Sequence, residues 1–504
     1  MDNRATPWIQ TVSLETPSLK DNTADAERLA QALKSYLNTP ALDIDLDLLK
    51  TLPTILRHSR FKIRCILFKE RQRWVLTGIT DAKEATLIAG LAVDLGTTRV
   101  VLRLLDLGSG RTLAESAFDN PQDSIGPDIL TRIHFAEKEN GLPELNKLII
   151  SGLNNAIEKL CKSQQISPQQ IYALSVAGNT TMTHLFMGLD PRWIIREPYI
   201  PVVNNPSVLK ATQLNLEVNP QARLFAFPNI GSYFGGDLIA GILYSEIHKK
   251  KSTGILVDVG TNAEVVLGNK NWLIACAGAA GPGVIDQISV KPDTLEFDIH
   301  TIEDLPPKGI CGSGVIDLAA RLFLNGMIDI RGKLVAAVCG PKIKELDGLL
   351  HLVVVPAEKS ATGFDLTISQ ADLDSLMQSK AAMYTILETI TASVGIAPQD
   401  LESFYVGGTF GAFINPESAI SIGMLPDLPL KRYKALGNSS LGGATLALQS
   451  DKYLPEIDHI RDRITYIELN VNQDFMNRFS AAKFLPHTNT SLFPSVKLWD
   501  KRKQ

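Results

Sequence analysis

One pattern occurs twice in this chain and constrains its fold more than any other feature of the sequence. The string LAVDLGTTRVVL at residues 91–102 returns as ILVDVGTNAEVVL at residues 255–267. In both copies an apolar segment runs into Asp, an aliphatic residue, Gly and Thr, and a second apolar segment follows. Two copies, each set among helix and strand patterns, predict two related half-structures rather than a solenoid. We therefore expect an α/β protein with a duplicated β-rich core.

The segment ahead of the first copy predicts a small α+β unit. Residues 23–38 place leucines at helical spacing and residues 42–58 continue an apolar-periodic pattern, so two helices are expected. Residues 61–79 alternate apolar and polar side chains around a charged turn, which is typical of a hairpin. At 504 residues the chain has room for about three domains of ordinary size.

Composition argues against several classes of protein. With 21% charged residues and a net charge of -4, the chain shows no basic patch, so we expect no nucleic-acid partner. It shows neither a signal-peptide pattern nor a run of about 18 uncharged apolar residues, so a cytoplasmic location without membrane residence is expected. The five cysteines lie far apart without a Cys-x-x-Cys pair, which argues against a disulfide framework and a self-contained iron–sulfur site.

Each Asp-aliphatic-Gly-Thr turn carries groups that suit a polyphosphate. Gly96 and Gly260 lack a Cβ, so the backbone can approach an anion and the following amides can donate to phosphate oxygens. Asp94 and Asp258 offer hard oxygen ligands that can hold Mg²⁺ through water. One such turn could be an ordinary Asp-Gly hairpin, whereas two predict ATP binding with Asp94 and Asp258 in catalytic roles. The predicted nucleotide-binding residues of the turns are Gly96, Thr97, Thr98, Gly260, Thr261 and Asn262.

A third glycine-rich segment, FYVGGTFGAFIN, follows an apolar strand pattern at residues 404–415. A strand that runs into a glycine-rich loop allows close approach of the backbone to a ligand, here the adenosine end of the nucleotide. A simple strand-to-helix turn is the alternative interpretation. The predicted contacts are Gly407, Gly408, Thr409, Phe410 and Gly411.

Other candidate site residues lie where a strand or loop leads into a helix. Asn179 is predicted to orient water or phosphate, with a helix N-cap as the alternative. Asp237 is predicted to be catalytic or linked to Mg²⁺, although the dipole at a helix start favours an acid anyway. Gly312 and Ser313 open a helix and are predicted to touch ribose or phosphate. His184, inside an apolar helix, is expected to be a packed core residue.

The two Asp turns and the loop at residues 407–411 resemble the phosphate and adenosine motifs of the ASKHA superfamily, which contains acetate and sugar kinases, Hsp70 and actin. Longer strings, among them AGNTTMTHLFMGLDP, SYFGGDLIAG, GICGSGVIDLAARL and YIELNVNQDFMNRFSAAKFLPH, resemble one branch, the RACo-type reductive activators of corrinoid proteins. The resemblance implies a duplicated RNase H-like, two-lobed fold. It implies a middle-domain-like α+β unit at residues 1–88, ASKHA lobes at 89–230 and 231–435, and a connecting helix and C-terminal segment at 436–504 that pack back on the first lobe.

The resemblance further implies that ATP binding and hydrolysis drive reduction of Co(II) to Co(I) in a corrinoid protein, such as one associated with a methyltransferase. Members of this family typically carry a ferredoxin-like domain with a [2Fe-2S] cluster, whereas this chain starts at the middle domain. We therefore expect no iron–sulfur cluster here and a separate ferredoxin-like electron donor. The family also tends to show Phe-Glu-Gly after Ala-Gly-Pro, and that Glu is absent from ACAGAAGPGVIDQ.

The sequence is also compatible with two other functions. A small-molecule kinase of the acetate or sugar kinase class would use the same turns with an added base near the γ-phosphate. A nucleotide-dependent interaction module that does not hydrolyse ATP is the other, and the missing Glu favours it. The oligomeric state is also open, with a homodimer as one option.

Overall fold

The structure of the chain, a computed structural model, describes residues 7–70, 73–232, 234–259, 262–279, 287–290, 297–300, 307, 309–310, 312–346, 348–408, 414–466 and 473–497. The chain separates into two compact units. Unit 1 consists of Met1–Tyr244 and Ser439–Asp462, and unit 2 consists of Ser245–Asn438 and Arg463–Gln504.

The first half of the chain contains both strands and helices. They are β1 (Ile9–Ser13), α1 (Asp25–Leu37), β2 (Leu42–Ile44), α2 (Leu46–His58), β3 (Lys62–Glu70), β4 (Arg73–Asp81), β5 (Ala89–Leu95), β6 (Arg99–Asp106), β7 (Thr112–Asp119), α3 (Ile129–Ala136), α4 (Gly141–Ser163), β8 (Ile171–Gly178), α5 (Thr180–Met187), β9 (Leu209–Lys210), β10 (Arg223–Ala226) and α6 (Gly236–Ser245).

The second half also contains both strands and helices. Its elements are β11 (Gly254–Val259), β12 (Asn262–Gly268), β13 (Leu273–Ala279), β14 (Gln287–Val290), β15 (Phe297–His300), α7 (Gly312–Leu324), α8 (Ala336–Cys339), β16 (Ile343–Leu346), β17 (Leu349–Val355), β18 (Leu366–Ser369), α9 (Gln370–Ala392), β19 (Ser403–Gly407), α10 (Pro416–Ser421), β20 (Tyr433–Gly437), α11 (Ser439–Gln449), α12 (Tyr453–Arg463), β21 (Ile464–Tyr466) and α13 (Gln473–Ala482).

The N-terminal part of unit 1 is a four-stranded sheet in the order β1-β3-β4-β2, with α1 and α2 beside it. The predicted hairpin is confirmed as the antiparallel pair β3 and β4. The helix expected over residues 42–58 starts only at Leu46, because residues 42–44 alternate apolar and polar side chains and pair with β4 as a strand. Arg223 of β10 donates to Asp45 and Glu70, both at 2.9 Å, and ties this small sheet to the large sheet of unit 1.

The large sheet of unit 1 has six strands in the order β7-β6-β5-β8-β10-β9. β5, β6 and β7 are antiparallel, whereas β5, β8 and β10 are parallel. Leu91, Val93 and Leu95 of β5 point into a core that also contains Ile149 and Leu153 of α4. Since carboxyl ends of parallel strands meet at one edge of a sheet, the loops after β5, β8 and β10 share that edge.

The large sheet of unit 2 has the order β20-β19-β11-β12-β13-β21. β11, β12 and β13 are antiparallel, and β11, β19 and β20 are parallel, which repeats the pairing of the first sheet. Val257 of β11 and Val406 of β19 face a core that contains Leu387 and Ile390 of α9. The duplicated core predicted from the repeated string is therefore confirmed.

The division into units differs from the predicted boundaries in two places. The first boundary falls after Tyr244, in α6, rather than after residue 230. The C-terminal segment 436–504 was expected to pack on the first lobe, but only Ser439–Asp462 belongs to unit 1. The remainder belongs to unit 2, because β21 extends the sheet of unit 2 by pairing with β13 and α13 packs against α9. In the part of the chain that the structure describes, no helix is both long and apolar enough to cross a membrane.

Candidate functional site

Asp94 lies half-buried in β5, where it pairs with Val101 of β6 and with Ala177 of β8. Ser440 Oγ, in the first turn of α11, donates a hydrogen bond of 2.8 Å to Asp94 Oδ1. Helix α11 packs on β5 and β8, which brings the hydroxyl to the carboxylate. Ser440 had no predicted role, although it lies in an Asn-Ser-Ser segment that follows a strand and opens a helix.

The turn after Asp94 requires glycine at its first position. A Cβ on Gly96 would lie 2.3 Å from the carbonyl oxygen of Arg99, so a larger residue forces the turn to shift. Asn120 fixes the turn from the end of β7: its Nδ2 donates to Gly96 O at 3.0 Å, and its backbone N–H donates to Thr98 O at 2.8 Å. Sequence reasoning missed Asn120, whose only local signal is the Asn-Pro pair that ends the strand.

Asn179, directly after β8, has the alternative role given to it, that of a helix N-cap, and it also contacts the first Asp-Gly-Thr turn. Its Oδ1 accepts from the Met182 N–H at 2.9 Å, so it is the N-cap of α5. Its Nδ2 donates to Thr97 Oγ1 at 3.0 Å, which connects the cap to the first Asp-Gly-Thr turn. Thr97 is buried in this arrangement, whereas Thr98 is exposed.

Asp237 lies in the first turn of α6, and its Oδ1 accepts from the Leu238 N–H at 2.8 Å. The loop before α6 packs tightly on the cap of α5, since a Cβ on Gly235 would lie 2.3 Å from Asn179 Cα. This contact brings the start of α6 to the edge at which β5 and β8 end. Unit 1 thus gathers predicted residues from three separate segments, namely Asp94, Thr97, Asn179 and Asp237.

His184 is fully buried, as predicted for a core residue. Its Nδ1 lies 2.7 Å from Thr180 O, which can only accept, so Nδ1 carries the proton. Its Nε2 accepts from the Val202 N–H at 3.1 Å, and burial lowers the pKa of the ring. His184 is therefore a neutral structural residue beneath the cap of α5.

Asp258 occupies the same place in unit 2 that Asp94 occupies in unit 1. It is half-buried near the end of β11 and pairs with Gly407 of the parallel strand β19. The strand that leads into the predicted adenosine motif therefore lies directly beside the second Asp. Opposite Asp258 in the antiparallel hairpin is Glu264, which had no predicted role. Gly260, Thr261 and the side chain of Asn262 lie outside the described residues.

A cavity of about 650 Å³ lies within unit 2, beside these segments. Val257 and Val406, the neighbours of Asp258 and Gly407, line it together with Gly312 and Ser313 at the start of α7. Apolar side chains such as Met383 also line the cavity. Three predicted segments of unit 2 thus border one cavity, which is mostly apolar with polar groups at its wall. Thr409, Phe410 and Gly411 lie outside the described residues.

The described cysteines are buried and free. Burial raises the pKa of Cys65 to about 12 and that of Cys161 to about 11, and it also raises the pKa of Cys276 and Cys339. These thiols are therefore protonated at neutral pH. Cys311 lies outside the described residues. Among the residues with described positions, no three His, Cys, Asp or Glu side chains are grouped to hold a metal ion.

Three family models match successive parts of the chain. Residues 7–84 match the RACo linker region, residues 89–250 match the RACo middle region, and residues 252–497 match the C-terminal domain of RACo, the ASKHA domain. The expectation that residues 1–88 correspond to the middle region is thereby corrected, because that part of the chain matches the linker. The middle region instead coincides with the large sheet of unit 1.

Individual proteins are similar to this chain over most of its length. A solved structure described as a reductive activator for corrinoid, iron-sulfur protein is 36% identical, with a TM-score of 0.89, and the match covers 98% of this chain and 82% of that chain. The corrinoid activation enzyme RamQ of Eubacterium limosum is 28% identical, covering 92% of this chain and 84% of the relative. A [Co(II) methylated amine-specific corrinoid protein] reductase of Methanosarcina barkeri is 23% identical, covering 77% and 75%.

Proposed function

The chain belongs to the RACo family of reductive activators of corrinoid proteins, and we propose that it binds and hydrolyses ATP to support reduction of Co(II) to Co(I) in a corrinoid protein. One observation carries the ATP part of this proposal. Asp94 and Asp258 occupy the same position in two sheets of the same pairing, each near the end of a hairpin strand and beside a parallel strand. A duplicated carboxylate of this kind supports the same type of ligand, a phosphate group, at each turn.

The residues around the two turns suit different parts of ATP. In unit 1, Thr97 and Asn179 place a hydroxyl and an amide at the sheet edge, and Gly96 permits the tight turn between them and Asp94. In unit 2, the apolar cavity bordered by Gly312 and Val406 suits a nucleoside, since such sites are mostly apolar with a few polar groups. We assign phosphate recognition to the turns and adenosine recognition to this cavity.

The donor set fits magnesium. Mg²⁺ in nucleotide sites is held by one or two carboxylates together with waters and phosphate oxygens, and the half-buried carboxylates of Asp94 and Asp258 are of that type. When bound, Mg²⁺ would neutralise charge on the β- and γ-phosphate oxygens. The role of the chain is to hold the carboxylates in place, as Ser440 does for Asp94 through its hydrogen bond.

The proposed chemistry has two balanced parts. In hydrolysis, the oxygen of a water molecule bonds to the γ-phosphorus while the bond to the β–γ bridging oxygen breaks, giving ADP, inorganic phosphate and a proton. In activation, one electron passes to cobalt from a separate iron–sulfur protein. Residues Asn179 and Asp237 are the proposed groups that orient water and phosphate.

Phosphate release tests this function against its alternatives. The purified protein is incubated with MgATP alone, with a Co(II) corrinoid protein, and with a panel of sugars and short carboxylic acids. The proposal predicts hydrolysis that the corrinoid protein stimulates and that Asp258→Asn abolishes. Turnover that requires a small acceptor would instead indicate a kinase, and binding of ATP without turnover under every condition would indicate a nucleotide-dependent interaction module.

A further inference from the structure

Arg132, in α3, is a fully buried arginine close to the first Asp-Gly-Thr turn. Its Nε donates to Gly126 O at 2.8 Å, and its Nη1 donates to Gln122 Oε1 at 3.3 Å. Its Nη2 is buried and has no hydrogen-bond partner among the described residues. Both acceptors are neutral, so in the part of the chain that the structure describes this buried charge has no hydrogen-bonded carboxylate.

The acidic residues that are near Arg132 in sequence are engaged elsewhere or exposed. Asp128 caps α3, since its carboxylate accepts from the Thr131 N–H at 2.9 Å, and Asp123 is exposed. Burial lowers the pKa of Arg132, and the charges of the two aspartates oppose that effect. Because an arginine side chain stays protonated in proteins, the buried positive charge is permanent.

The side chain of Met182 connects this charge with the residues that fix the first turn. Arg132 Nη1 lies 3.4 Å from Met182 Sδ. Asn120 Nδ2, which donates to Gly96 O, lies 4.0 Å from the same sulfur atom. The Met182 N–H donates to the side chain of Asn179. The guanidinium is therefore buried beside the two asparagines that contact the turn.

The Asp94 carboxylate lies on the other side of the sheet from this charge. Side chains alternate between the two faces of a strand, so Val93 and Leu95 of β5 face α4, whereas Asp94 faces α11 and accepts from Ser440. Helix α3, which carries Arg132, packs against α4. An anion bound at the turn, at the edge of the sheet, is thus a group that can balance the buried charge.

We propose that Arg132 is a specificity-determining residue whose buried positive charge strengthens binding of the phosphate groups of ATP at the first turn; this inference rests on the proposed function. A buried charge is screened by salt much less than a charge at the surface. At an effective dielectric constant of about 20, one unit charge acting on another across about 10 Å changes an affinity roughly tenfold. Since Arg132 acts without touching the nucleotide, its effect should grow with the phosphate charge of the ligand.

Affinities for MgATP, MgADP and adenosine, measured by calorimetry, test this role without relying on turnover. Arg132→Met keeps the length of the side chain and removes its charge. We expect the dissociation constant of this variant for MgATP to rise roughly tenfold, that for MgADP to rise less, and that for adenosine to stay unchanged. Arg28→Met is the matched control, because it removes another buried guanidinium, one that is paired with Asp21, and it should leave all three affinities unchanged.

Arg132→Lys separates the charge from the hydrogen bonds of the guanidinium. Lysine keeps the charge but lacks the planar group that reaches both Gly126 and Gln122. All proteins are measured at mildly acidic pH, because burial lowers the pKa of a lysine and a lower pH favours its charged form. Arg132→Lys should then retain most of the affinity for MgATP.

A loss of MgATP affinity in Arg132→Met that Arg132→Lys does not share supports the inference. Unchanged MgATP affinity in Arg132→Met would overturn it and leave the proposed function standing. An equal loss in both variants would also overturn it, since the hydrogen bonds would then matter rather than the charge, and so would an equal loss for adenosine. If Arg132→Met does not fold, as judged by circular dichroism, Arg132→Gln takes its place with the same expected results. A wild-type protein that binds no ATP would overturn both the inference and the proposed function.

Discussion

Ser440 Oγ donates a hydrogen bond of 2.8 Å to Asp94 Oδ1 across a sequence separation of 346 residues. The bond orients a half-buried carboxylate that is proposed to serve ATP. Helix α11 supplies the hydroxyl, and the close packing of its Gly443 on Ala240 of α6 fixes that helix in unit 1. A helix from the C-terminal part of the chain therefore completes the first turn.

Ser440→Ala is expected to slow ATP hydrolysis by roughly tenfold, because the substitution leaves the Asp94 carboxylate without the donor that orients it. It should also lower the free energy of unfolding by about 1.5 to 3 kcal/mol, the usual range for a hydrogen bond to a charged group. Steady-state phosphate release and thermal unfolding measure the two effects. Ser163→Ala removes a hydroxyl bonded to Leu160 O at the end of α4 and should leave turnover unchanged. Full activity in Ser440→Ala would contradict the orienting role.

The two roles of Asn179 can be separated by two substitutions. Asn179→Ser keeps a side chain that can cap α5 but cannot reach Thr97, so we expect near wild-type stability and reduced turnover. Asn179→Ala loses both interactions and should additionally lower the free energy of unfolding by about 1 kcal/mol. Melting temperature and phosphate release distinguish them. Wild-type turnover in Asn179→Ser would mean that capping is the whole role of the residue.

Lys380 should make the stability of unit 2 depend on pH. It is fully buried in α9, and its Nζ donates to Phe484 O at 2.6 Å and to Pro486 O at 2.8 Å. Burial lowers its pKa from 10.5 to about 7. Since the folded pKa lies below the unfolded value, the unfolded chain binds the proton more readily between these values. Stability that depends on neutral Lys380 should therefore rise by about 1.4 kcal/mol per pH unit from pH 7 to 10.5.

Denaturant unfolding of wild type and Lys380→Met at several pH values measures this contribution. Methionine fills the buried space without titrating, so the difference between the two proteins should change with that slope. Lys359→Met, at an exposed position, should retain the pH dependence of the wild type. Parallel pH profiles for wild type and Lys380→Met would show that the lysine does not titrate in this window.

The local sequence pattern was sufficient to predict the duplicated sheets. Each copy of the repeated string has the pattern of a hairpin, and each apolar segment within it has the pattern of a strand. Four features could not be predicted from local pattern. Ser440 reaches Asp94 only because α11 packs on β5, and β21 belongs to unit 2 only because it pairs with β13. Asn120 acts through a carbonyl, which no side-chain motif encodes. The position of Glu264 opposite Asp258 depends on the second turn being one residue shorter than the first, which alignment of the two strings does not indicate.

Coupling of ATP to cobalt reduction is tested most directly by following both reactions in one anaerobic mixture. It contains the protein, MgATP, a Co(II) corrinoid protein, an iron–sulfur electron donor and a low-potential reductant, and the cobalt spectrum and phosphate release are recorded together. Co(I) is expected to form only with ATP present, in step with phosphate release, and Asp258→Asn is expected to lose both signals. Formation of Co(I) at the same rate without ATP, or in the absence of phosphate release, would contradict this coupling.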